Sequence, residues 1–203
     1  MVAPYSYFIL AGVWILYFGL HSLLASERVK NKVQPLAGKY FRYYRLFYNI
    51  IAVLTLVPIL LYNAIVSAGP LVSSSLLLSV LEFGGLAFAT YGVILIHLSF
   101  KQYSKREFLG ITLPQEKHPE PLHKEGILQQ VRHPLYAGTI LIAIGFWCFS
   151  PTLANLITSL AWIIYTLIGI RLEETKLLKL YGDEYQRYRE EVPMLVPRLG
   201  RRP

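Results

Sequence analysis

Apolar residues in this chain come in long unbroken blocks, and that blocking limits its possible folds more than any other feature. Tyr5 to Ala25 is apolar apart from His21 and a few hydroxyls. Leu46 to Val66 is a second run, and Leu71 to Leu98, with Glu82 inside it, a third. Leu135 to Phe149 and Leu153 to Ile170 are a fourth and fifth, parted only by Ser150, Pro151 and Thr152. A helix needs roughly 20 apolar residues to cross the hydrocarbon of a bilayer. The first, second, third and fifth runs reach that length. The fourth is short, so the last two runs are expected to form a tight helical hairpin. Charged residues are 16% of the 203, against about a quarter in soluble domains. The pattern predicts an all-α fold, a polytopic membrane bundle of about five transmembrane helices with little outside the lipid.

The charges give a topology. Arg28, Lys30, Lys32, Lys39, Arg42 and Arg45 separate the first two runs, and Lys101 to Arg132 is again rich in basic residues. Arg171, Lys176, Lys179, Arg187, Arg189 and Arg198 follow the fifth run, whereas Asn63 to Ser75 and Ser150 to Thr152 carry no charged side chain. The positive-inside rule then predicts the N-terminus outside and the C-terminus in the cytoplasm. The net charge of +8 reads as topology and headgroup attraction. It does not read as nucleic-acid binding, because the basic residues sit at helix ends and form no single compact face. "MVAPYSYF" lacks a basic n-region, so the first run is not expected to be a cleaved signal peptide. Cys148 is the single cysteine, which rules out an internal disulfide or a multi-thiolate metal site, and no metal site is expected.

Two further regions flank the hairpin. "KQYSKREFLGITLPQEKHPEPLHKEGILQQ", from Lys101, is long for a connector. Its glycines and prolines stop any long helix, and its scattered apolar residues suggest a cap packed on the cytoplasmic face. The tail from Arg171 places Leu177, Leu180 and Tyr181 on one helical face, with Gly182 as a stop and Asp183 as the cap of a second short helix. These readings divide the chain into N-terminal transmembrane helices, 1–100, and a second region, 101–203, made of the loop, the hairpin and the C-terminal segment.

"RHPLY" (132–136) opens the fourth run and "RLEE" (171–174) closes the fifth. Helices joined by so short a turn are antiparallel neighbours, so these far ends are expected to meet around one cytoplasmic pocket. Each residue alone has a plainer reading. Arg132 suits a topological anchor, His133 an interfacial cap, Pro134 a first-turn residue and Tyr136 the aromatic belt. Glu173 and Glu174 suit a solvated surface. His21 and His97 read as interfacial, His118 as loop. The combination is what points to chemistry.

"GILQQVRHPLYAG", a hairpin, then "RLEETKLLKLYGDEYQRYREEVPMLVP" resembles the isoprenylcysteine carboxyl methyltransferase and phospholipid methyltransferase family of integral membrane enzymes. The matching residues are Gly126, Arg132, His133, Pro134, Tyr136, Gly138, Glu173, Glu174, Tyr181, Gly182, Tyr185, Tyr188, Val192 and Pro193. The resemblance implies a methyltransferase using S-adenosyl-L-methionine, held between the hairpin, the loop and the C-terminal segment. It implies cofactor contacts from Leu122, His123, Leu128, His133, Pro134, Leu135, Tyr136, Gly138 and Glu174, and catalytic roles for Arg171 and Glu173. It also implies a lipophilic acceptor drawn from the bilayer: an isoprenylcysteine-like carboxylate, a lipid or a thiol. Alternatives are a sterol-type membrane reductase using NADPH, which shares an Arg-His-Pro-like opening, and a non-catalytic membrane partner in a redox system. The Glu173–Glu174 pair favours the methyltransferase.

Overall fold

The computed structural model describes residues 2–101 and 121–198. Among them every regular element is helical. Tyr5–Ala25 is α1, Glu27–Ala37 is α2, and Gly38–Tyr43 forms a 3-10 turn leading into α3, Tyr44–Val66. Ser75–Ser99 is α4, Pro134–Phe149 is α5, Leu153–Tyr181 is α6 and Asp183–Glu191 is α7. Four stretches are long and apolar enough to cross a bilayer, and the chain is an integral membrane protein. The 16 residues of α5 rise about 24 Å, short of a ~30 Å hydrocarbon core, as its brief apolar run predicts. Most of the expected cytoplasmic cap, residues 102–120 with His118, lies outside the described residues.

Local chemistry sets the boundaries. Ser26 leaves α1 in an extended conformation and its hydroxyl accepts the Val29 N–H, which starts α2 at once. Ser74 caps α4 in the same way through Leu77, so this helix begins four residues after the start of the predicted run. Pro134 occupies the first turn of α5, where its missing N–H costs nothing. α6 does not stop at Ile170. It runs on through the polar Arg171–Tyr181 stretch, which lies beyond its apolar run, until Gly182 at φ +53° breaks it. Gly182, not the expected Asp183, is the capping position of α7, and Asp183 sits in the first turn, where a carboxylate favours the helix dipole.

The chain forms two compact units. One holds residues 2–71 and 151–161. Its interior carries a run of polar contacts on an apolar background. Trp14 Nε1 donates to Thr158 Oγ1 at 2.9 Å, Thr158 Oγ1 donates to Asn63 Oδ1 at 2.8 Å, and Asn63 Nδ2 donates to Asn155 Oδ1 at 2.7 Å. All four residues are buried. In lipid, where apolar burial gives helices little reason to associate, such bonds supply much of the docking specificity, at about 0.6 kcal/mol each.

The other unit holds residues 72–101, 121–150 and 162–198. Here α4 and α5 lie so close that two glycine pairs interlock. A Cβ on Gly92 would stand 2.6 Å from the Gly138 carbonyl oxygen, and one on Gly145 would stand 2.5 Å from that of Gly85. The pairs repeat after seven residues on both helices, so two turns of backbone meet face to face, the small-residue packing that membrane helices use.

Candidate functional site

The site is built where the entry to α5 meets the end of α6 and the C-terminal segment. Residues 131–133 run beside residues 193–194: the Arg132 N–H donates to the Pro193 carbonyl at 2.9 Å and the His133 N–H to that of Met194 at 3.1 Å. This fixes both side chains toward α6. Arg132 Nε and Nη2 donate to Glu174 Oε1 at 3.0 and 2.6 Å, across 42 residues of chain. Its Nη1 donates to the carbonyls of Arg189 and Val192, taking up acceptors that the C-terminus of α7 leaves open. One guanidinium thus binds α5, α6 and α7 together. The pair is largely buried, with side chains 9% and 13% exposed. Breaking such a pair by removing one partner costs about 3–5 kcal/mol.

His133 lies against the same carboxylate. Its Nε2 is 3.3 Å from Glu174 Oε1 and its Nδ1 is 3.9 Å from Glu173 Oε2. Burial is the main influence on this imidazole and pushes its pKa below 6.5, although Glu173 and Glu174 pull the other way. At neutral pH the ring is uncharged and carries one N–H. A carboxylate only accepts, so the proton sits on Nε2 and is donated to Glu174. Nδ1 then presents a lone pair toward Glu173 Oε2. That oxygen is itself buried and has no hydrogen-bond partner among the described residues.

Burial would raise the Glu174 carboxyl, but the hydrogen bonds and charge of Arg132 outweigh it and hold the pKa below 4.5. Arg189 adds a second guanidinium at 3.8 Å from Glu174 Oε2. Glu174 is therefore doubly compensated, whereas Glu173 faces an uncharged imidazole. Two acceptors, Nδ1 and Oε2, face each other with no donor between them among the described residues. The arrangement is complementary to a cationic N–H group.

Tyrosines form the floor. The Tyr185 hydroxyl lies 3.5 Å from Glu174 Oε1, and burial, followed by the charge of Glu174, pushes its pKa up to about 12. The Tyr188 hydroxyl donates to the Leu128 carbonyl at 2.6 Å. Tyr185, Tyr188 and Val192 make a buried cluster on which Leu122 packs. On the other side of Val131, an apolar cavity of about 310 Å³ opens between α4, α5 and the C-terminal segment. Ala137, Ile140, Leu141, Ile144 and Leu195 line it, with Gln130 as a polar group at its wall.

Of the residues expected here, His133, Glu173 and Glu174 come together, with Tyr136 stacked at a tilt 5.7 Å from the His133 ring. Pro134 is buried, Leu135 half-buried, and Leu128 buried beneath Tyr188. His123 is exposed beside Lys124, whose Nζ pairs with Glu184 at 2.7 Å. Gly138 serves the α4 interface, its open side filled by the Gly92 carbonyl. Arg171 is exposed on α6, and the guanidinium in the cluster is that of Arg132. Arg132 was expected at the pocket from "RHPLY" but without a specific partner, whereas Tyr185 and Arg189 were given no role in the site, and the "YGDEYQRYR" run was their signal.

The chain matches the family described as NnrU protein over residues 9–198 and belongs to it. Among individual relatives, a methanethiol S-methyltransferase of Crocosphaera subtropica is 40% identical over 92 residues, covering 43% of this chain and 34% of that protein. A methanethiol S-methyltransferase of Pseudomonas deceptionensis is 40% identical over 74 residues, 36% of this chain and 27% of its own. The protein-S-isoprenylcysteine O-methyltransferase of Schizosaccharomyces pombe is 28% identical over 123 residues, 59% of this chain and 50% of its own. The resemblance to isoprenylcysteine-type methyltransferases is thus present in named relatives, although the matched stretch spans only about a third of the first relative's length. No solved structure matches the chain.

Proposed function

We propose that this protein is a membrane methyltransferase that uses S-adenosyl-L-methionine and acts on a lipophilic acceptor. The observation that carries the reading is the acceptor pair: His133 Nδ1 and the buried Glu173 Oε2, 3.9 Å apart, the latter with no hydrogen-bond partner among the described residues. Such a pair suits the α-ammonium group of the cofactor, and a charge-assisted bond there is about twice as strong as a neutral one. Arg132 keeps Glu174 ionised, Glu174 holds the His133 ring in the tautomer that leaves Nδ1 as an acceptor, and Tyr136 offers an aromatic face nearby. When bound, the cofactor supplies an electrophilic methyl on a sulfonium. The chain's share of the work is to fix the reactants in line and exclude water, and orientation of that kind is worth roughly 7–11 kcal/mol.

The acceptor class is argued from the apolar cavity and from the relatives. An apolar hollow of about 310 Å³ bordering the Arg132 segment favours an acceptor with an apolar body, within the usual size range of small-molecule sites. The relatives are named for a thiol and for a prenylated cysteine, and both are consistent with a soft or anionic nucleophile delivered from the membrane. We place the basic ends of α1, α3, α5 and α6 on the cytoplasmic side by the positive-inside rule, which puts the site where the cofactor is supplied.

Calorimetry of the purified protein with S-adenosylhomocysteine tests this directly, because that product keeps the ammonium group. The expected result is micromolar binding that weakens about tenfold or more in Glu173→Gln, together with transfer of labelled methyl from S-adenosyl-L-methionine to a component of a membrane extract. Absence of binding to the wild-type protein rejects the reading.

A further inference from the structure

Between two membrane helices stands a short helix that nothing above uses. α2 starts one residue after α1 ends, and α3 starts directly after the 3-10 turn that follows α2. Both neighbours are apolar enough to span a bilayer, so α2 and Gly38–Tyr43 are held where lipid meets water. None of their residues is buried.

The side chains divide by face. Val29, Val33 and Leu36 recur at helical spacing and form one apolar stripe. Val29 and Val33 are half-buried, whereas Leu36 is 87% exposed. Lys30 flanks the stripe on one side and Arg28 and Lys32 on the other. The 3-10 turn extends the pattern with exposed aromatics that carry cations: Lys39 Nζ lies 5.3 Å from the Tyr40 ring centre and the Arg42 guanidinium 4.9 Å from that of Tyr43. From Glu27 to Tyr43 there are five cations and one carboxylate, and that carboxylate, Glu27, is already paired with Lys30 at 2.9 Å. Arg28, Lys32, Lys39 and Arg42 are exposed.

An apolar stripe edged by cations and continued by Tyr–cation pairs is the arrangement of a helix lying in the membrane plane. A spanning helix cannot carry this charge, and an apolar stripe flanked by cations suits contact with acyl chains below and headgroups above. We propose that residues 26–43 form an in-plane site for anionic phospholipid headgroups, with Arg28, Lys32 and Arg42 binding the phosphates and Leu36 entering the acyl boundary. The basis is charge complementarity at a fixed depth, and the inference stands independently of the methyl-transfer reading.

The test uses the full-length protein in nanodiscs of equal phosphatidylglycerol and phosphatidylcholine, with retained lipids counted by native mass spectrometry. The wild-type protein is expected to retain phosphatidylglycerol in preference, and raising the salt during equilibration is expected to erode that preference. The triple variant Arg28→Gln/Lys32→Gln/Arg42→Gln should lose it about tenfold or more. Lys176→Gln/Lys179→Gln/Arg187→Gln, which removes equal charge from α6 and α7, should keep it. Equal retention of both lipids by the wild-type protein overturns the proposal. So does an undiminished preference in the first triple variant, or a preference indifferent to salt. The salt series on the wild-type protein decides the matter even if the triple variant does not fold.

Discussion

At the scale of residues, the site is a set of mutual protonation constraints. His133 titrates below its ordinary 6.5 mainly because it is buried, and Glu174 below its ordinary 4.5 because Arg132 outweighs burial. In both cases the unfolded chain binds the proton more readily than the folded one, so folding weakens as pH falls. Stability from His133 is complete above 6.5 and declines below it, and that from Glu174 declines below 4.5. Thermal unfolding in detergent should therefore show a Tm that is flat above the imidazole range, drops through it and drops again in the carboxylate range. His133→Gln should shrink the first drop and leave the second. A Tm that rises on acidification would contradict this balance. The residue types at the site were legible from "RHPLY" and "RLEE", because a very short turn forces those ends together. Which arginine serves Glu174 was not. Arg132 and Arg171 are equivalent by pattern, and the choice is made by the backbone of Arg132 and His133 bonding to residues 193–194, a pairing without a local sequence cue.

At the scale of elements, the α4–α5 contact sets how closely the entry of α5 is held. Gly84 and Gly85 are neighbours in sequence but not in environment: a Cβ on Gly84 meets nothing within 4 Å, whereas one on Gly85 meets the Phe149 N–H nitrogen at 2.6 Å. Gly85→Ala should accordingly cost roughly 1–3 kcal/mol through overpacking, and Gly84→Ala should cost nothing measurable or add slightly to stability through helix propensity. Denaturation of the two variants in one micelle composition checks the contrast; equal Tm values would show that the helices are not in backbone contact. Four apolar runs were readable as helices by length, and the shortness of the fifth element was readable too. A helix ending at Gly182 was readable from Leu177, Leu180 and Tyr181, and the structure has it. Its unbroken continuity with the fifth apolar run was hidden by the charges of Arg171 to Lys179, and α2 was hidden because the Val29–Val33–Leu36 stripe is short and ends beside Pro35.

At the scale of the molecule, an integral membrane chain of the NnrU family exposes apolar side chains along α1, α3 and α4, Phe8, Ile15, Leu54 and Phe83 among them, and gathers Arg132, Glu174 and His133 into one largely buried cluster. This follows the cost of ionisable groups near lipid, which leaves them few tolerable places outside functional sites. The overall class was legible because apolar blocking depends only on composition along the chain. The bare acceptor pair was not, because it arises from a tautomer and a 3.9 Å separation that no spacing encodes. The account depends on His133 and Glu173 acting as a single receptor for one cationic group. A double-mutant cycle with His133→Gln and Glu173→Gln, read as Kd for S-adenosylhomocysteine by calorimetry, measures that directly. The account predicts that each substitution weakens binding and that the pair together weakens it by at least about 1 kcal/mol less than the sum of the two. Strict additivity, or single variants that bind like the wild-type protein, would contradict it.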